Sequence, residues 1–195
     1  MRRRAHHHGV SIRAEDFPAL CADLERALGE LTSGVQRDES LWTRGRPRKW
    51  TAGQHAAHVG LIIAMMTDAF EAAESGLRSG TSSAPPRRGL LQSLFVTLVV
   101  EKGYMPRGAK AVARSLPPER PEKGETLATL RRDAGRLRAL GERLTAPERD
   151  RLWIWNPLGG IPSRITTWHY RLPEAARLHA VHARHHARLI AEIPA

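Results

Sequence analysis

Histidines carry most of the chemistry available to this chain, and four of the ten sit close together near its end. They are His179, His182, His185 and His186, in LHAVHARHHARLI. At about 100° per residue along a helix, His182 and His186 project on the same side as Leu189 and Ile193, so both should face a core. Two neutral imidazoles one turn apart can reach a single ion at about 2.0–2.1 Å, as i, i+4 pairs do in zinc-binding helices. The bland alternative is a chance cluster on a solvated helix, and Arg184 and Arg188 do give this helix a wet side. Against it stands the cost of burying two imidazoles side by side with nothing between them. A third ligand must come from elsewhere, and WTAGQHAAHVGLII supplies His55 and His58. Periodicity leaves the choice open: His55 is nearer the centre of the apolar arc and His58 lies at its edge.

Three histidines leave an open position on a tetrahedral ion, which suits the site to activating a water or a thiol. No general base is legible beside it. HExxH is absent, because Ala183 follows His182, and neither a serine-hydrolase nor a phosphate-loop signature is present. His179 and His185 flank the pair, either as outer-sphere or proton-shuttle groups or as partly exposed, inert residues. His6, His7 and His8 follow three arginines in a segment that reads as disordered. Trp153, Trp155 and Trp168 are candidates for lining a pocket around the metal or for capping the core, and Trp50 for anchoring the helix that follows it. Cys21, the single cysteine, lies between Leu20 and Leu24 and reads as a small core residue.

The elements that must position these residues read as helices. Leu20, Leu24, Ala27, Leu28 and Leu31 recur at helical spacing over about 15–36. After a polar, turn-prone link (37–50), Thr51 offers an N-cap for a second helix to about 79, with Val59, Ile62, Ile63, Met66 and Phe70 on one broad side. GTSSAPPRR (80–88) breaks the helical pattern. A short apolar helix, about 90–102, leads into a proline-rich crossover up to 124. Leu127, Leu130, Ala134, Leu137 and Leu144 form the stripe of a helix over about 125–144. A Trp/Pro/Gly loop precedes the last helix, which Pro173 should either start or kink. The fold class expected is all-α, with a disordered basic N-terminus (1–14) and one domain over 15–195.

The formal net charge of +11 raises nucleic acid as a partner. The cations are nearly all arginine, only Lys49, Lys102, Lys110 and Lys123 being lysine, and they are scattered along the chain without a recognition helix or a basic stripe interleaved with aromatics. Nucleic acid is therefore not the expected partner. The longest apolar run, GLLQSLFVTLVV (89–100), is short of the ~20 residues a membrane span needs, no apolar run follows the basic start, and the lone cysteine fits a reducing compartment. A cytoplasmic protein without a membrane partner is the expectation.

Taken in order, Trp50 and Thr51, His55 to His58 followed by an apolar run, NPLGG (156–160) and the closing HARHH (His182 to His186) resemble the DinB-like superfamily and the thiol-dependent transferases grouped with it. The resemblance covers nearly the whole chain in order and rough spacing; its motifs are short, and its specificity lies in their combination. It implies that the metal is held by a histidine eight residues after the tryptophan and by two histidines with three residues between them in the final helix, which are His58, His182 and His186 here. It also implies an up-down-down-up four-helix bundle with a long crossover, often a homodimer. The cofactor expected is a divalent metal ion, zinc or nickel foremost. The activity expected is a metal-dependent transferase or hydrolase acting on a small-molecule substrate with the help of a low-molecular-weight thiol. The other reading is a non-catalytic, metal-stabilised module for stress response or ligand binding. Two features depart from the family pattern: the long proline-rich insertion at 80–124, and Pro173 just before the last helix.

Overall fold

The computed structural model describes residues 12–37, 39–108, 110–158 and 168–194. Most of the expected disordered tail (1–14), including His6, His7 and His8, lies outside these residues, as do Gly159 and Gly160. Ala14, placed in that tail by the sequence, is buried in a 3-10 turn, Ala14–Asp16.

The described chain is mostly helical. Its helices are α1 (Phe17–Arg37), α2 (Ala52–Arg78), α3 (Leu90–Phe95, continued as a π-helical turn over Val96–Glu101), α4 (Lys123–Glu142), α5 (Ala146–Arg151) and α6 (Leu172–Ala191). The four long helices pack pairwise: α1 most extensively against α6, α2 against α4 and α6, and α4 also against α1. The α1–α6 seam is close because α6 turns small residues inward. Ala175, Ala176, Ala180 and Ala183 are all fully buried there, and Gly34 of α1 faces Ile190. The opposite seam is filled by larger groups, Ile63, Met66 and Phe70 of α2 against Leu130, Leu137 and Leu140 of α4. Removing such side chains from water supplies the main driving force for this packing.

Arginines tie the seams from outside. Arg177 and Arg184, two turns apart on α6, each reach Asp23 of α1 at 2.8 Å, and the hydrogen bonds from Arg184 hold the Asp23 carboxyl down at about 2. Arg136 of α4 reaches Asp68 of α2 at 2.7 Å and Asp133, one turn earlier on its own helix, at 3.1 Å. Part of the large positive charge is thus matched locally and belongs to the packing of the helices.

Three elements, two short strands and one short helix, go beyond what the sequence leads one to expect. Trp153–Trp155 and His169–Arg171 are strands, β1 and β2, paired antiparallel with Ile154 opposite Tyr170. In β1 Ile154 is buried while Trp155 stays half exposed, the two-residue alternation of a strand; in β2 His169 and Tyr170 are both buried, and neither WIW nor HYR is long enough to show a period. Helix α5 is set by Thr145 and Glu148, each side chain accepting from the other's backbone N–H. Pro173 starts α6 and does not kink it, since a proline in the first turn has no N–H to lose from the helix ladder. Helix α2 is long and apolar enough to cross a membrane, which the reading of 89–100 as the longest apolar stretch overlooked; 56% of that apolar window is buried inside the fold.

Gly141 marks the tightest point in the core. A Cβ there would lie 2.0 Å from the Phe17 ring, and that ring is fully buried. Gly141→Ala is expected to cost about 2–3 kcal/mol by overpacking, in spite of the better helix propensity of alanine. Urea unfolding would read this as a lower midpoint at unchanged slope, and an unchanged midpoint would show that Phe17 has room to retreat.

Candidate metal centre

The position of the α2 histidines is set at the start of that helix. Thr51 accepts from the Gln54 N–H at 3.2 Å, and Gln54 Oε1 accepts from the Thr51 N–H at 2.9 Å, a reciprocal cap. Gly53 lets the helix lie against Trp42, whose ring a Cβ would meet at 2.7 Å. The proline-rich crossover is fastened to the same end: Trp42 Nε1 donates to the Pro121 carbonyl at 2.8 Å, and Gln54 Nε2 to that of Glu119 at 3.2 Å. One turn into α2, His55 and His58 are both buried, and His182 and His186 come up to them from α6.

His58, His182 and His186 each present a ring nitrogen to a common point, with these atoms all within 4.8 Å of one another. His182 Nε2 and His186 Nε2 are 2.9 Å apart. Nitrogens bound to a tetrahedral ion at about 2.0–2.1 Å stand about 3.4 Å from each other, so small ring rotations would bring this cluster to that geometry. The tautomers agree with such a site. His58 Nδ1 donates to the Ser115 carbonyl at 2.6 Å, which leaves its Nε2 lone pair free. His186 Nδ1 lies 2.8 Å from His55 Nδ1; with the His186 Nε2 lone pair turned to the cluster, Nδ1 carries the hydrogen and donates it to His55. Ligating imidazoles are characteristically fixed in this way by an acceptor on the far nitrogen.

Periodicity could not choose between His55 and His58, and the structure gives them different places. His58 stands in the cluster with His182 and His186; His55 stands behind His186. Removing that acceptor with His55→Leu is expected to weaken metal affinity about 10–100-fold while leaving one ion per chain at saturating metal, and His55→Gln to recover part of the loss. Competition against a chromophoric chelator would measure it, and equal affinities in all three proteins would remove His55 from the site.

All these rings are held neutral, the form a metal needs. Burial pushes His55 down to about 4, with the nearby His58 adding to the effect. Burial also lowers His58, against the opposing pull of the Ser115 carbonyl, and it lowers His182 and His186, where the neighbouring histidines contribute.

The tryptophan of the site is Trp50. Its ring lies 4.8 Å from that of His58, 5.5 Å from His55 and 6.2 Å from His186, where the planes stack at 21°. Trp153 and Trp155 pack instead around His169, and Trp168 against Phe95; none of the three lines the cavity over the histidines. Nor does Pro173. The insertion does reach it, through Met105 to Gly108, Lys110, Ala111 and Leu116. His179 is fully buried in the core and neither ring nitrogen has a hydrogen-bond partner among the described residues, which gives it no relay to pass a proton along. His185 lines the cavity wall, its ring 5.3 Å from His186. Cys21 is buried and pushed up to about 12 by that burial, an inert thiol.

The cavity has a volume of about 700 Å³ and is floored by the histidines and Trp50. Comparison with protein-family models, with curated proteins and with solved structures found no match. Ser115 and the cations of the cavity mouth were not legible in the sequence, because they reach the histidines only through the fold: Ser115 is 57 residues from His58 and lies in a stretch with no periodicity.

Proposed function

We propose that His58, His182 and His186 hold one divalent ion, zinc or nickel, and that the protein is a DinB-like four-helix bundle, up-down-down-up, acting as a metal-dependent transferase or hydrolase on a small molecule with a low-molecular-weight thiol as the co-substrate. The observation that carries this reading is the convergence of three neutral imidazoles from two helices at the floor of a cavity of small-molecule size. A divalent ion held there would supply Lewis acidity and favour the deprotonated form of a thiol or water beside it. The protein groups do the positioning: Ser115 and His55 fix the rings of His58 and His186, and Trp50 keeps water from one side of the cluster. Glu192 is the one carboxylate lining the cavity among the described residues, and it is engaged by Arg46 and Arg107. That engagement disfavours it as a general base, leaves His185 as the nearest group able to exchange a proton, and favours thiol transfer over water activation.

Elemental analysis of protein purified without an affinity tag, followed by a screen of thiols against electrophiles, tests this. One ion per chain and a thiol-dependent product are expected; protein without stoichiometric metal would falsify the proposal. The ligands join α2 to α6, and this favours a second reading in which the ion only staples those helices. In that case chelation lowers the melting temperature and no substrate is turned over.

A further inference from the structure

Among the described residues, five cations and a single carboxylate line the cavity: Arg46, Arg48, Lys49, Arg107 and Lys110 against Glu192. Glu192 takes up two of them. It meets Arg107 at 2.6 Å and Arg46 at 4.0 Å, and its backbone carbonyl also accepts from Arg46. Arg48, Lys49 and Lys110 have no carboxylate within ion-pair distance among the described residues. This contrasts with the arginines along the helix seams, which meet Asp23, Asp68 and Asp133.

Two of these unmatched cations, Arg48 and Lys49, sit on a backbone turn that is held in place. Arg46 to Lys49 form a turn closed by the Lys49 N–H donating to the Arg46 carbonyl at 2.9 Å, and Gly45 pairs with Thr51 across its base. Arg48 sits at φ 59°, a left-handed conformation that costs energy in a residue with a side chain and gathers at functional sites. The turn leads directly into Trp50, whose ring covers the histidines. The cations are exposed while His58 and His186 are buried, so positive charge rims the mouth and neutral imidazoles form the floor. A concave site lined by one sign of charge concentrates small ions of the other.

We propose that this cavity takes an anionic small molecule, whose carboxylate or phosphate group is received by the Arg48–Lys49 turn and Lys110 while its other end reaches the histidines. This names the substrate class of the proposed metal centre and rests on that reading only for what the far end meets.

Calorimetric titration of the full-length, metal-loaded protein with succinate, glycerol phosphate and the uncharged diamide of succinate provides the test. At low salt the two anions are expected to bind about 10-fold or more tighter than the diamide, the scale of one unscreened charge pair at a protein surface; whichever binds tighter tells carboxylate from phosphate. A triple variant, Arg48→Gln with Lys49→Gln and Lys110→Gln, is expected to lose most of that preference while keeping its metal content and its melting temperature. Equal affinity for anions and diamide overturns the proposal. It is also overturned by a preference that survives in the triple variant and vanishes in His182→Ala, since the anion would then sit on the ion. Tight, steeply salt-dependent binding of single-stranded RNA with no preference among the small molecules would reassign the rim to nucleic acid. Metal content is measured on the same samples, so failure of the metal centre and failure of the rim are read separately.

Discussion

His186→Ala should lose the metal almost entirely, dropping from one ion per chain to near zero after dialysis, with affinity reduced by well over the ~100-fold that outer-sphere partners alone can command. His186 is singled out because three contacts converge on its ring: Nε2 lies 2.9 Å from His182 Nε2, Nδ1 lies 2.8 Å from His55, and the Trp50 ring stacks on its face. Its removal deletes a ligand and at once frees His55. His185→Ala, the adjacent position on the cavity wall, is the matched control and should keep its ion. Elemental analysis and a chelator competition on the two variants decide the matter. If both kept stoichiometric metal, the cluster on α2 and α6 would not be the binding site.

Acid should unfold the metal-free protein well above the pH at which its carboxylates are lost. The buried histidines are held below their ordinary range, His55 at about 4 and His179 at about 4, with His58, His182 and His186 also lowered. In the unfolded chain each titrates near 6.5. Below that pH the unfolded chain binds more protons than the folded one, so stability falls as pH drops from about 6.5 towards 4. By pH 5, His55 and His179 alone should cost about 2 kcal/mol each, a large part of the ~5–15 kcal/mol of a typical domain. Asp23, held at about 2 by Arg184, has the opposite protonation chemistry. Its contribution is present above its ordinary value of 3.8 and is lost only as pH falls from there towards 2, so it plays no part between pH 7 and 5. A melting temperature lower by about 10 °C at pH 5 than at pH 7.5 is the expected calorimetric result. Added metal should raise the pH 7.5 value and lose its effect at pH 5, because protons compete for the same nitrogens. A flat melting temperature across this range would mean that the rings are hydrated in the folded state.

Where local chemistry is dense, the sequence reading and the structure coincide. Thr51 as the cap of α2, the shared side of His182, His186 and Leu189, which lines the cavity where the sequence suggested the core, and the stripe of α4 all follow from interactions within one helix, and these are encoded by neighbours three or four residues apart. Strands β1 and β2 escaped because their pairing partner lies in another segment, and three residues carry too few alternations to show a period of two. Trp153, Trp155 and Trp168 were candidates for the site by residue type alone; a ring packs where the fold leaves a surface, and for these three the surface is His169 and Phe95.

By itself the sequence determined that the chain is mostly helical and that two imidazoles one turn apart on its last helix share one side, since helical phase depends on spacing and nothing else. Helical phase left their partner on α2 open between His55 and His58; the resemblance to the DinB-like superfamily implied His58, and it is His58 that the tertiary structure brings to them. The crossing of α2 and α6 turns His58 towards the cluster, with Ser115 behind it, and places His55 behind His186; a relation between two helices cannot be written in the period of either. The charge of the mouth was decided in the same way. Of the cations that looked scattered along the chain, the fold sets some against carboxylates across the helix seams and brings Arg48, Lys49 and Lys110 to one cavity rim, where they meet none among the described residues.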